Sequence, residues 1–260
     1  MAKPFGAQED HMSGHSKWAT TKHRKGAKDS ARAKVFAKLI RQVEVAAREG
    51  GGDPGANAAL RTMYQKAREA SVPIDTIDRA VKRGTGELEG VRYEAISYEG
   101  YGPSGVAVIV ETLTDNRNRT SAEVKHVFGR NGGAIAEPGA VSWQFARKGV
   151  IEVQGPVDED QLLEWIMEVG AENYEANAKN YTVTTEPHDV GSVRDALEGH
   201  GLKVLSAELT LVPQNSIEIT DEGEAKKVLR LMDAIDDHDD VQNVYANFDI
   251  SDDLLAAYDG

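Results

Sequence analysis

The spacing of apolar residues changes near residue 90, and this change limits the fold more than any other feature of the chain. Before it, apolar side chains recur every three or four residues, which is the period of an amphipathic helix. After it, short continuous or alternating apolar runs prevail, which is typical of strands interrupted by helices. The 260 residues therefore predict a multidomain α+β protein with a helical front part.

Three helices with short connections are predicted for this front part. An apolar stripe runs from Ser30 to Glu49 and stops at three consecutive glycines. Asn57 can cap a second helix, and Pro73 suits the first turn of a third, which Gly84 would end. The third helix is expected to face inward with Ile74, Ile77 and Val81. These three helices are predicted to form a bundle, and residues 84–90 to form a linker after it.

Strands and helices alternate in the rest of the chain. Residues 93–98 and the apolar run 105–113 predict strands, and Thr120 opens a capping-box pattern for a helix through Phe128. A strand with one buried face is expected where apolar and polar residues alternate, at Val141, Trp143 and Phe145.

A β-α-β-β-α-β pattern in residues 149–206 predicts a ferredoxin-like unit. The first β-β-α-β segment lacks a second helix and a closing strand, which the C-terminal segment can supply. The ferredoxin-like unit is therefore expected to be inserted in the other α/β domain. The predicted division is a leader or tag (1–12), a basic helical domain (13–84), an α/β domain (91–148 plus 207–252) and the inserted domain (149–206).

Several classes of protein are disfavoured by composition. Without cysteine there is no disulfide framework and no thiol chemistry, and the longest apolar runs are too short to span a bilayer. Residues 1–12 lack the apolar core of a secretory signal. We therefore expect a cytoplasmic protein that does not contact membranes.

Charge divides sharply along the chain. Residues 13–83 hold 16 Lys and Arg against 7 Asp and Glu, whereas residues 84–260 hold 13 against 34. With the first twelve residues, the net charge is −13. A basic part beside such an acidic remainder indicates a polyanion partner for the basic part.

The basic charge is densest between residues 17 and 41, which contain nine Lys and Arg and one acid, Asp29. The start of this stretch has no apolar periodicity, so it predicts a mobile arm that phosphates attract irrespective of base sequence. Along the following helix, the cations are expected on a solvent face. The candidate nucleic-acid-binding residues are Lys17, Trp18, Lys22, His23, Arg24, Lys25, Lys28, Arg32, Lys34, Lys38 and Arg41.

Two of these residues leave alternatives open. Trp18 can stack on an exposed base or pack onto the bundle, and His23 can face phosphate or solvent. Nothing in the pattern indicates base-specific readout.

Two further charged segments each allow two interpretations. Arg117 and Arg119 precede a helix, where they can contact an anion or simply form a capped turn. The acidic run Asp236–Asp240 can chelate a divalent cation, but it lacks the spacing and central glycine of a calcium loop and is more typical of a solvated turn. We predict no metal, no cofactor and no catalytic residues, since no catalytic constellation stands out. A metal-dependent hydrolase using these acids is the remaining enzyme alternative.

Six long motifs, in order, resemble the YebC/PmpR family, which includes a mitochondrial translational activator. They are GHSKWATTKHRKGAKD, AAREGGGDPGAN, DTIDRAVKRGTG, YEGYGPSGVAVIVETLTDNRNRT, NGGAIAEPGAVSWQF and DDVQNVYANFD. The resemblance implies a helical domain followed by two α/β domains, one inserted in the other, and brings no settled catalytic residues.

Function follows from charge and resemblance together. The resemblance implies a DNA-binding transcriptional regulatory protein, and the basic arm suits that function. The alternative is an RNA-binding factor on the ribosome that assists translation of difficult stretches, such as consecutive prolines. Both make DNA or RNA the partner.

Overall fold

Three helices form the first part of the molecule: α1 (Asp29–Gly50), α2 (Ala58–Glu69) and α3 (Ile74–Thr85). The structure is a computed structural model and describes residues 29–155, 158–176 and 180–259. The helices enclose one buried cluster, made of Val43, Ala46, Ala47, Leu60, Ala67, Val72, Ile77 and Ala80. The predicted helical bundle is confirmed.

Asn57 ties α2 to α1. Its side-chain oxygen accepts a hydrogen bond from the Leu60 amide, and its Nδ2 donates to the Ala46 and Gly51 carbonyls. The predicted cap is therefore confirmed, and the same side chain also binds carbonyls in the last turn of α1 and just after it.

The predicted inward face of α3 is confirmed at Ile77, which is buried, and Val81 packs partly buried against the same cluster. Ile74 is 48% exposed, so its predicted place in this face is wrong. The face against α1 also includes Ala80 and Gly84, both buried. Small residues let the two helices approach closely, a contact that a search for large apolar side chains does not detect. The helix also continues past Gly84, and Gly86, at φ +84°, takes the left-handed cap position.

The second part is built on a four-stranded sheet with the order β3-β1-β2-β9. Its elements are β1 (Glu94–Tyr101), β2 (Ala107–Thr114), α4 (Arg117–Arg130) and β3 (Ala134–Ile135), and later in the chain β8 (Ile217–Ile219), α7 (Glu222–Asp236), β9 (Val241–Ala246), β10 (Phe248–Ile250) and α8 (Asp252–Asp259). β9 pairs antiparallel with β2, so the end of the chain completes a sheet begun before residue 115. α4 and α7 share a buried cluster with this sheet.

In sequence, the residues between β3 and β8 form a second four-stranded sheet. Its order is β5-β6-β4-β7, and all its neighbouring strands are antiparallel. Its elements are β4 (Phe145–Gln154), α5 (Glu159–Val169), β5 (Asn173–Ala176), β6 (Asn180–Thr185), α6 (Val190–Gly199) and β7 (Val204–Pro213). Each β-α-β unit is split by an intervening strand, which is the ferredoxin-like arrangement. The predicted α+β class is confirmed.

The long strands β4 and β7 pair from Phe145 with Pro213 to Val153 with Val204. This ladder passes through the predicted boundaries at 148/149 and 206/207. The domain boundaries themselves stay a prediction.

Two local predictions are wrong. Residues Ser142–Gln144 form a 3₁₀ turn, not a strand, and Trp143 is 67% exposed. The amides of Val141 and Ser142 donate to the Glu99 carboxylate, which bends this segment away from the sheet. Thr120 does not cap a helix as predicted. Helix α4 begins earlier, at Arg117, and Asn116 is its cap. The Thr120 hydroxyl is buried and bonds to Thr114 and Asp240.

Candidate nucleic-acid interface

The cations of α1 lie on one side of the helix. Lys34, Lys38 and Arg41 are spaced by four and three residues, so their side chains lie on neighbouring turns of one face. The prediction that this face is open to solvent is wrong for Lys38 and Arg41, whose side chains are 16% and 20% exposed, whereas the Lys34 side chain is 43% exposed. These three residues are called the cationic face below.

The cationic face is covered by the acidic run Asp236–Asp240, called the acidic segment below. Lys34 Nζ lies 2.8 Å from Asp237 Oδ1, and Lys38 Nζ lies 3.1 Å from Asp236 Oδ1. Arg41 Nη1 lies 3.2 Å from Asp240 Oδ1. The acidic segment is therefore an internal partner of the helical domain and not the solvated turn that its composition predicts.

Backbone carbonyls strengthen this contact. Lys34 and Lys38 also donate to the carbonyl oxygens of Asp237 and Asp236, at 3.2 and 3.0 Å, and Arg41 donates to that of Asp239. The acidic segment follows the C-terminus of α7, where carbonyls lack partners within the helix and the helix dipole is negative. Both the carboxylates and the backbone thus attract cations.

Asp240 is the buried end of the acidic segment. Its Oδ2 accepts hydrogen bonds from Arg119 Nη2 and from the Thr120 hydroxyl, each at 2.7 Å. The same hydroxyl lies 2.7 Å from Thr114 Oγ1. Burial disfavours the charged form of Asp240, but the Thr120 and Arg119 hydrogen bonds and the charges of Arg119 and Arg41 together hold its pKa below the ordinary value. Asp240 is thus held ionised between two guanidinium groups.

Arg119 does not have the free guanidinium that an anion site requires. Besides Asp240, it lies 2.9 Å from Asp115 and 3.8 Å from Glu123. Asn116 caps α4 by accepting from the Arg119 amide at 3.1 Å, so the capped turn, the alternative left open by sequence, is present. Arg117 is exposed, and its role as an anion contact stays a prediction.

Three potential metal ligands meet in this region. The ligand atoms of Glu123, His238 and Asp240 lie within 4.8 Å of one another. The Asp240 amide donates to His238 Nδ1, so the neutral ring carries its hydrogen on Nε2, which faces Glu123 at 2.9 Å. A metal would need the lone pair of that nitrogen and would have to displace Arg119 from Asp240. The geometry favours a hydrogen-bonded junction.

A cleft of about 340 Å³ opens between α1 and α4. Its lining residues are Arg41, Tyr93, Asp115, Arg119, Glu123, His238, Asp239 and Asp240. The Arg41 guanidinium lies 5.7 Å from the centroid of the Tyr93 ring. Since four of the eight lining side chains are carboxylic acids, the cleft does not favour an anionic ligand.

The remaining predicted contacts fall into two groups. Arg32 is exposed, and its guanidinium lies 5.2 Å from the centroid of the Phe36 ring. The arm residues lie outside the described residues: Lys17, Trp18, Lys22, His23, Arg24, Lys25 and Lys28.

Comparison with known proteins places this chain in a family. Residues 16–87 match a family model described as the TACO1/YebC protein N-terminal domain. Residues 93–248 match the TACO1/YebC second and third domain. The chain belongs to the TACO1/YebC family. The sequence-based identification is confirmed, and the N-terminal family domain includes both the arm and the cationic face.

Relatives of similar length extend the match over almost the whole chain. A protein from Halothermothrix orenii is 51% identical over 94% of this chain and 98% of its own length. One from Acidithiobacillus ferrooxidans is 52% identical over the same shares. Both carry the name "Probable transcriptional regulatory protein".

The TACO1/YebC fold is also found in a solved structure. The crystal structure of a conserved hypothetical protein from Aquifex aeolicus is similar, with a TM-score of 0.77 and 43% sequence identity. The match covers 95% of this chain and 97% of the other. Among the described helices, none combines the length and the apolar character needed to cross a membrane.

Proposed function

We propose that this TACO1/YebC-family chain is a cytoplasmic, non-enzymatic regulator of transcription that binds DNA through its basic N-terminal domain. The observation that carries the proposal is the run of nine cations between residues 17 and 41, whose last members form a line on helix α1. Dense positive charge binds the phosphate backbone by releasing counterions, without reading base edges. The names of the relatives support transcription as the process.

The acidic remainder of the chain restricts where DNA can bind. Residues 84–260 carry 34 acids against 13 Lys and Arg, so that part of the protein repels phosphates. DNA is therefore expected to contact the helical domain alone. The two sheet domains are left to face solvent or a protein partner.

Titration of a fluorescent DNA duplex with the full chain tests the proposal. The triple variant Lys22→Glu/Arg24→Glu/Lys25→Glu is expected to weaken binding by at least about tenfold, because phosphate contacts are replaced by repulsion. The control variant Lys125→Glu/Arg130→Glu/Lys203→Glu makes the same change in net charge at exposed positions of the acidic part. It should bind nearly as well as the unchanged chain.

Two outcomes would contradict the proposal. One is equal weakening in both triple variants, which would mean that net charge alone governs binding. The other is no binding of duplex DNA by the unchanged chain. In that second case, tight binding of an RNA of the same sequence would favour the translation factor instead.

A further inference from the structure

We propose that the acidic segment is an internal competitor of nucleic acid: it occupies the cationic face of α1 and must leave before phosphates can bind there. The inference rests on the proposed function and adds regulation to that site. It makes the N-terminal arm the first contact and the cationic face a second contact that is exposed only on release.

The acidic segment satisfies the cations much as a phosphate backbone would. Each of Lys34, Lys38 and Arg41 bonds to one carboxylate oxygen and one backbone carbonyl. Successive contacts follow the helix over two turns, or about 10 Å. The acidic segment therefore supplies a row of anionic and partly negative oxygens to a row of cations.

Simultaneous binding of phosphate is disfavoured on two grounds. The side chains of Lys38 and Arg41 are mostly covered while the segment is in place. A phosphate approaching Lys34 would also meet Asp237 and Asp239, both exposed, and like charges at that distance repel. Binding of nucleic acid and binding of the acidic segment thus exclude each other.

The contact is also of a kind that an external polyanion can displace. Among the described residues, the buried cluster of the helical domain and that of α4, α7 and their sheet have no member in common. The acidic segment is therefore held to α1 mainly by ion pairs, and salt screens the most exposed of them, Lys34 with Asp237. Helix α7 packs inward through Val228, Leu229, Met232 and Ile235, so it can persist after release.

The decisive experiment compares the duplex affinity of three full-length chains. Asp236→Asn/Asp237→Asn removes two charges from the acidic segment and keeps the side-chain shapes. Glu164→Gln/Glu218→Gln makes the same charge change at exposed positions away from α1. We expect the Asp variant to bind DNA about fivefold more tightly than the unchanged chain, because it removes the charged partners of Lys34 and Lys38, and the Glu variant to change little.

The outcomes separate this inference from the proposed function. If the unchanged chain binds DNA and the Asp variant binds equally or less tightly, the inference is wrong and the proposed function stands. An equal gain in both variants is a general charge effect and also overturns the inference. If none of the three chains binds DNA, both fail, because the Asp variant should expose the cationic face.

Hydrogen exchange on the unsubstituted chain gives an independent measurement. The amides of Asp237 and His238 donate to the Asp233 and Ile235 carbonyls at the end of α7, and the Val241 amide donates to the His238 carbonyl. Because the cations of α1 hold this segment in place, saturating DNA is expected to speed exchange at these amides. Unchanged or slower exchange in the DNA complex would overturn the inference without relying on any substitution.

Discussion

Arg119 and Asp240 form an ion pair of 2.7 Å that joins the first turn of α4 to the residue preceding β9. The Asp240 side chain is only 5% exposed, and its other carboxylate oxygen accepts from Arg41 of α1. One carboxylate thus links the helical domain to both halves of the second domain. The cationic face depends on this junction for its position.

Asp240→Ala is expected to lower the free energy of unfolding by about 3 kcal/mol, because it removes the buried carboxylate that Arg41, Arg119 and the Thr120 hydroxyl share. Asp239→Ala is the matched control, since its side chain is exposed and its backbone carbonyl remains. The control should change stability by less than about 0.5 kcal/mol. Urea unfolding measures both, and equal losses would show that Asp240 has no special role.

The hydrogen bonds of Glu99 should make the stability of the protein depend on pH. Its carboxylate accepts hydrogen bonds from the amides of Gly139, Val141 and Ser142. Partial burial disfavours the charged form, but these three amides outweigh it and lower the pKa of Glu99. The folded state therefore binds its proton less readily than the unfolded state does. The stabilisation is present above the ordinary glutamate pKa of about 4.3 and is lost as the pH falls through the lower folded value.

Glu99→Gln tests that dependence. The variant should be less stable than the unchanged chain at neutral pH, because an amide side chain cannot accept all three hydrogen bonds as a carboxylate does. The difference should shrink as the pH falls below about 4, where the native carboxyl is also protonated. Urea unfolding of both chains over this range measures it. A difference that is constant with pH would contradict the assigned role of the charge.

Replacing Gly84 with alanine tests the contact between α3 and α1. The same substitution at Gly129, in α4, is the control. A methyl group at Gly84 would overlap the Glu44 carbonyl oxygen and lie 2.7 Å from the Ala47 Cβ, whereas one at Gly129 would meet nothing within 4 Å. Gly84→Ala should therefore destabilise the protein by about 1–3 kcal/mol. Gly129→Ala, in a helix, should stabilise it by about 0.5–1 kcal/mol. Thermal unfolding distinguishes the two, and a neutral Gly84→Ala would mean that the helices are not in close contact.

Much of the fold was predictable because the hydrophobic period is a local property. The stripe along α1, the Asn57 cap and the β-α-β-β-α-β pattern all depend on residues near one another in sequence. Prediction failed where a distant group decides local structure. Glu99 turns residues 139–142 into a loop from about forty positions away, so the alternation at Trp143 was misleading.

The candidate site was predictable only in part. The density of cations identified the cationic face and the arm, but not that Lys34, Lys38 and Arg41 face an acidic segment about 200 residues later in the chain. Opposite charge was the available signal. It does not specify a partner by itself, because acids are spread over the whole second part of the sequence.

The salt dependence of duplex binding by the full chain tests the central claim most directly. If the five arm cations each neutralise a phosphate, log Kobs should fall against log salt concentration with a slope of about −4 to −5. The Lys22→Glu/Arg24→Glu/Lys25→Glu variant makes at least about three fewer phosphate contacts, so its slope should be shallower by about 3. A slope near zero for the unchanged chain, or the same slope for both chains, would contradict the claim that the basic N-terminal region binds nucleic acid.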